Sequence, residues 1–178
     1  MNYYLFGAAI ICVVAAAIID VLTQKIPNWF TLPSAFLGVI LNFHLCGTKG
    51  LSSSIIGLIT GFLLLFFVYR LGGMGAGDVK LLCAAGAFLG PKLVFYSFIW
   101  MALVGGVLAL ILIIYNKAFS QTFGNLKILV LSWILRSPSQ EANLTLKNQA
   151  LIKLPYGVAI ATGVILTVWL KRIPNFGF

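Results

Sequence analysis

Acidic charge is almost absent from this chain: its 178 residues include three carboxylate side chains, Asp20, Asp78 and Glu141. Charge of either sign is scarce, at 8% of residues, where a soluble globular domain carries about a quarter. With 61% hydrophobic residues and a mean hydropathy of +1.08, the composition excludes a soluble globular domain and describes a polytopic membrane protein. Cysteine is equally sparse. Cys12, Cys46 and Cys83 form no C-x-x-C pair, which removes a zinc ribbon, a thioredoxin-like motif and a disulfide framework, so neither a metal nor a cofactor is expected. The chain also lacks a G-x-x-x-x-G-K-[ST] loop and a dinucleotide fingerprint between a strand and a helix. Its net charge of +9 leaves twelve Lys and Arg against three acids, the basic residues spread mostly singly through loops, which speaks for topology and lipid headgroups and against nucleic acid.

What is present is a succession of long apolar runs. A bilayer crossing needs about 20 apolar residues, and about six segments are candidates: 3–22, 29–46, 51–69, 79–89, 93–115 and 156–170. The fold expected is therefore an all-α, polytopic membrane helix bundle of about six transmembrane helices, a single membrane-embedded domain over 1–178. The fourth segment is short, and Gly90-Pro91 stops it, because proline cannot continue a helix. Residues 1–4 carry no basic side chain and no small-residue cleavage site follows, so the first run is expected to stay as a helix. The polar stretch 116–154 is expected to be a cytosolic or interfacial loop, with 128–135 lying in the interface beside Trp133, Lys127 and Arg136.

Topology follows from basic residues on alternate sides. With the N-terminus outside, Lys25, Arg70, Lys80, Lys117, Lys127, Arg136, Lys147 and Lys153 fall inside, against Lys49, Lys92, Lys171 and Arg172 outside. Asp20, at the inner end of the first helix, and Asp78, at the inner start of the fourth, then share one depth.

A carboxyl at membrane depth costs roughly 2.5 to 3.5 kcal/mol on insertion scales and so points to function. Asp78 closes the run Gly72-Gly73-Met74-Gly75-Ala76-Gly77, whose four glycines leave a bare backbone that permits unusual dihedrals and close approach of another chain. Asp20 precedes Lys25-Ile26-Pro27-Asn28, a short loop in which Asn28 or Thr31 can cap the next helix. Taken by itself, Asp20 is equally well explained as a helix end paired with Lys25. Brought together, the two carboxyls would split their titrations into one acid and one base, the arrangement that activates water. Lys25 and Lys80 have two open roles, binding substrate or tuning the pair on one hand, topology and headgroup contact on the other. His44 is expected to be a packing residue.

Gly75-Ala76-Gly77-Asp78 resembles the GxGD signature of type IV prepilin peptidases, membrane aspartic endopeptidases of bacteria. Asp20 with Lys25-Ile26-Pro27-Asn28 resembles that family's first catalytic aspartate and the loop after it, and Leu154-Pro155-Tyr156-Gly157-Val158-Ala159-Ile160-Ala161-Thr162-Gly163 its final, glycine-containing helix. The resemblance implies that Asp20 and Asp78 are catalytic, with Gly75, Gly77, Lys80, Lys25 and Asn28 in support. It implies a prepilin or pseudopilin substrate, a short basic leader removed directly after glycine, pilus assembly machinery as a partner, and the bacterial inner membrane. Paired C-x-x-C zinc motifs of the larger, bifunctional members are missing, and the chain resembles the short members of Flp (tight-adherence) systems, which suggests cleavage without methylation. Competing readings are a proton- or cation-coupled transporter component using the same aspartates, an archaeal preflagellin peptidase, against which the Ile-Pro-Asn loop and Lys80 weigh, and a presenilin-like protease, whose first aspartate follows a tyrosine where this chain has Ile19.

Overall fold

A computed structural model describes residues 3–70, 74–115 and 156–171. These residues are helical apart from short connections, with no strand among them. The elements are α1 (Tyr3–Thr23), α2 (Asn28–Arg70), α3 (Ala76–Tyr115) and α4 (Tyr156–Lys171). By chain contacts the molecule divides into two units, Met1–Gly105 with Pro155–Phe178, and Gly106–Leu154. The second is described only over 106–115, which is helical. The expected interfacial stretch 128–135 and Glu141 lie outside the described residues.

Among the described residues three helices are long and apolar enough to cross a membrane, Tyr3–Thr23, Asn28–Arg70 and Ala76–Ile111, and α4 is a shorter apolar helix. This corrects the expectation of six separate spanning helices. Segments expected as 29–46 and 51–69 are joined in α2, and those expected as 79–89 and 93–115 are joined in α3. The joints are Gly47 (φ 61, ψ −145) and Gly90 (φ 79, ψ 175), backbone conformations that glycine reaches without a Cβ penalty.

Each joint reverses the chain. Asn42 Nδ2 and Ser54 Oγ both donate to the carbonyl of Ala87, at 2.7 and 2.6 Å, yet 12 residues of straight helix would part them by about 18 Å. The two arms of α2 must therefore fold back on each other. Asp78, at the start of α3, lies within electrostatic reach of Tyr156, and a Cβ on Gly105 would sit 3.7 Å from that of Ala159. Tyr156 and Ala159 are less than one turn apart, whereas a straight α3 would separate residues 78 and 105 by roughly 40 Å.

The first arm of α3, residues 76–89, is the pillar of the first unit. Val79, Leu81, Leu82, Ala84, Ala85, Ala87, Phe88 and Leu89 are all buried, as expected of a helix apolar on every side. Close approach is allowed by small residues on the second arm of α2, where Gly50, Ser54, Gly57 and Gly61 lie on one buried stripe. A Cβ on Gly57 would strike the carbonyl of Gly86, and one on Gly86 would strike that of Gly57. Here backbone meets backbone, the packing that membrane helices obtain from small-xxx-small patterns. α1 packs on α4 and α2 through a stripe containing Leu5, Ala9, Val13, Ala16, Ala17 and Asp20. Large apolar side chains such as Ile11, Phe36, Phe67 and Leu103 point outward and are more than half exposed. Small residues inside and large apolar ones outside is the pattern suited to lipid, where apolar surface need not be hidden.

At the break in the pillar a local demand is met by side chains. Pro91 has no N–H to offer the carbonyl of residue 87 four positions earlier, so that carbonyl loses its helical partner inside the protein. Asn42 and Ser54 replace it, and Asn42 Nδ2 also reaches the carbonyl of Phe88 at 3.1 Å.

Candidate active site

Asp20 occupies the last turn of α1. Its own carbonyl accepts the N–H of Gln24 at 2.7 Å, and Gln24 takes a left-handed conformation (φ 52) that ends the helix. Thr23 Oγ1 lies 2.8 Å from the carbonyls of both Ile19 and Lys25, which tightens the exit. Pro27 then starts α2 with its carbonyl, which accepts the N–H groups of Phe30 and Thr31. The loop between Asp20 and α2 is consequently short and fixed, with Ile26 buried at 8% exposure.

Asp78 is the third residue of α3 and reaches back. Its Oδ2 accepts the N–H of Gly75 at 3.1 Å, while its own N–H donates to the carbonyl of Gly75 at 3.2 Å. This is the acid half of a capping box, formed where a helix leaves N–H groups unpaired. Asp20 has a counterpart from far along the chain: its Oδ2 accepts the N–H of Gly157, in the first turn of α4, at 2.8 Å. Both carboxyls are buried, at 8% and 7% exposure, and the charge of Asp20 acts on Asp78. Residues 58 positions apart are thus brought into one electrostatic neighbourhood, with one oxygen of each held by a backbone N–H. Tyr156 stands half-buried beside them, its hydroxyl within the field of Asp78.

Two glycines keep the neighbourhood open to backbone. A Cβ on Gly77 would lie 3.0 Å from Cβ and 3.2 Å from the carbonyl oxygen of Ile26, so the start of α3 sits directly against the loop after Asp20. A Cβ on Gly157 would meet Asp20 Cβ and Oδ2, each at 2.8 Å. Two buried carboxyls at helix ends, each with one oxygen held by a backbone N–H, keep further acceptor sites for a water or a substrate. Among the described residues no group of three or more His, Cys, Asp and Glu is gathered as a metal site.

Residues 7–110 match the sequence model of the type IV leader peptidase family. The chain belongs to that family. Similar proteins include the prepilin leader peptidase/N-methyltransferase of Neisseria gonorrhoeae, 38% identical over 110 residues, covering 56% of this chain and 37% of that protein. The protein of the same name from Stutzerimonas stutzeri is 35% identical over 116 residues, 61% of this chain and 39% of its own length, and that of Dickeya chrysanthemi is 40% identical over 85 residues, 43% and 29%. The aligned part of this chain therefore covers less than two-fifths of each of these relatives. No solved structure matches the chain.

Within this leader peptidase family member, the residues singled out from sequence fall as follows. Asp20, Asp78, Gly75 and Gly77 come together. Lys80 Nζ donates to Asn28 Oδ1 at 2.7 Å, tying the first residue of α2 to the second turn of α3. Asn28 thus bridges to Lys80, and the first N–H groups of α2 are met by Pro27 instead of by its side chain. Lys25 is exposed and Asp20 buried, and Asp20 turns to Gly157, so the simple helix-end pairing with Lys25 does not describe it. Unusual dihedrals at Gly75 and Gly77 are corrected as well: among the described glycines only Gly47 and Gly90 have positive φ, and close approach is used at position 77, against Ile26, while a Cβ at Gly75 would meet only its own turn. His44 is exposed on the first arm of α2. Sequence reasoning gave no role to Tyr156 or to the N–H of Gly157. The Tyr156-Gly157 pair in the final helix was the signal available for both.

Proposed function

We propose that this chain is a membrane aspartic endopeptidase that removes the short basic leader of a prepilin or pseudopilin at the cytosolic face of the bacterial inner membrane. The observation that carries the reading is the convergence of Asp20 and Asp78, each held by a backbone N–H, in a member of the leader peptidase family. The distribution of basic residues favours a bundle with the N-terminus outside. Gln24 to Pro27 and the start of α3 then lie at the cytosolic edge with Asp20 and Asp78.

The chemistry needs one proton shared by the pair. The ionised carboxyl takes a proton from a water held between the two, and the water oxygen bonds to the scissile carbonyl carbon. The protonated carboxyl donates its proton to the carbonyl oxygen, giving a neutral gem-diol. On collapse, one hydroxyl returns its proton to the dyad, the proton taken from water passes to the departing nitrogen, and the C–N bond breaks. A leader with a new carboxyl end and a pilin with a free amine result, and the dyad again holds one proton. Lys80, Asn28, Gly75 and Gly77 fix the wall that carries Asp78, and Lys25 stands at the rim, placed to meet the leader or the headgroups.

The test is to incubate the purified protein in detergent with a panel of prepilins and map product masses. One cut directly after glycine, at the cytosolic end of the substrate helix, with an unmethylated amine on the product, is expected. A panel left whole, or cut within the substrate's apolar helix, would contradict the reading.

A further inference from the structure

The two carboxyls are held in different ways. Asp78 takes its N–H from Gly75, three residues away on the same turn. Asp20 takes its N–H from Gly157, 137 residues away on another helix, through a shorter and fully buried bond. The first-turn N–H groups of any α-helix lack intrahelical partners, and α4 is anchored immediately beyond by Ala159 and Ile160, at 1% and 0% exposure. The N–H of Gly157 is therefore a fixed donor aimed at a side chain that has rotamers to lose.

The bare Cα of the same residue makes the contact possible. All three atoms nearest to a Cβ built on Gly157 belong to the Asp20 side chain, at 2.8, 2.8 and 3.1 Å. Any side chain there would push on the carboxyl itself. By contrast, a Cβ on Gly163, two turns further along α4, would meet the backbone of Ser97 and Met101 at 2.6 and 2.8 Å, a helix-packing contact away from both carboxyls.

We propose that Gly157 is a positioning residue of the active site: its N–H and its missing side chain fix the Asp20 carboxyl by one oxygen, leaving the other to face Asp78 and the water. The inference rests on the peptidase reading for its catalytic consequence and on geometry alone for the contact. Gly157 lies outside residues 7–110, the part matched by the family model.

Two measurements test it. The first needs no substrate. Alanine is a better helix former than glycine, so G157A should lower Tm in the otherwise native protein, where the Asp20 side chain is struck, and leave Tm unchanged or raised in an Asp20→Gly background, where every struck atom is gone. An equal loss in both backgrounds would overturn the contact. The second compares G157A with G163A on a cleaved prepilin. G157A should lower kcat by about tenfold or more with KM within about twofold, and move one limb of the pH–rate profile; G163A should lower Tm but leave both limbs in place. Unmoved limbs in G157A, or a kcat loss no larger than that of G163A, would overturn the positioning role. If the native protein cuts no prepilin, the peptidase reading falls, and the Tm comparison still decides whether Gly157 holds Asp20.

Discussion

The buried first arm of α3 ends in polar chemistry at both of its tips, and the two tips are built differently. At the Gly90 end, the carbonyls freed by Pro91 receive Asn42 and Ser54, neutral donors matched to neutral acceptors. At the Asp78 end, two buried carboxyls lie within electrostatic reach of each other, each with one oxygen held by a backbone N–H. A carboxylate offers about four acceptor sites, and the bond to Gly75 or Gly157 uses one. The Gly90 end closes a deficit left by the backbone. The Asp78 end creates a surplus of acceptor capacity and charge, in surroundings where charge is costly. One helix thus separates a polar cluster that completes the backbone's hydrogen bonds from the polar cluster proposed to carry the chemistry.

Substitutions at the two tips should therefore fail in different ways. At the Asp78 end, Asp78→Asn keeps size and acceptor but cannot share a proton, and cleavage should fall by a factor of ~10³ or more with Tm nearly native, since members of a catalytic unit are lost whole; melting by circular dichroism beside a cleavage assay checks both halves. Gly77→Val comes next. Its Cβ would press on Ile26 at 3.0 Å and part α3 from the loop after Asp20, lowering kcat by about 10- to 100-fold, because small misplacements of reacting groups cost that much. A melting curve should show a smaller accompanying loss, and native activity with valine would mean the tight approach is incidental.

At the Gly90 end, Asn42→Leu should cost about 1 to 3 kcal/mol of stability, the penalty of a buried group left unpaired, while the pH–rate profile keeps both limbs. A shifted limb there would erase the distinction between the tips. Ser54→Ala should cost less, since Asn42 still donates to Ala87. Smallest of all, Lys80→Met removes an exposed hydrogen bond to Asn28 and should change kcat/KM by about fivefold or less, a loss expected for one bond of roughly 1 kcal/mol. Chelator should leave cleavage unchanged, because paired carboxyls activate water without a Lewis acid; restoration of lost activity by zinc would contradict that.

Much of this was legible in the chain, and what was not has physical causes. Asp20 and Asp78 stand out because charge in apolar sequence is expensive, and Lys25-Ile26-Pro27-Asn28 marks a tight loop through its proline. The six apolar runs were legible as helical stretches, and Thr48-Lys49-Gly50 marked the break between 29–46 and 51–69; what the letters did not show is that Gly47 alone carries the turn, with helix on both sides of it. The run 79–89 looked too short to cross the bilayer by itself, yet its lack of any polar face other than Lys80 is the mark of the central helix. Gly57-Leu58-Ile59-Thr60-Gly61 is a small-xxx-small pattern that identifies the face against which that helix packs. The bond from Gly157 to Asp20 was out of reach for another reason. A backbone N–H has no letter in the sequence, and only the three-dimensional meeting of α1 and α4 turns a glycine into a donor.

The central claim is that Asp20 and Asp78 act as one unit. Its most direct test is the residual kcat on a cleaved prepilin of Asp20→Asn, Asp78→Asn and the double variant, measured together. One unit predicts three equally low rates, the second substitution adding nothing to the first. A single variant near the native rate, or a double variant whose loss is the product of the two single losses, would contradict it.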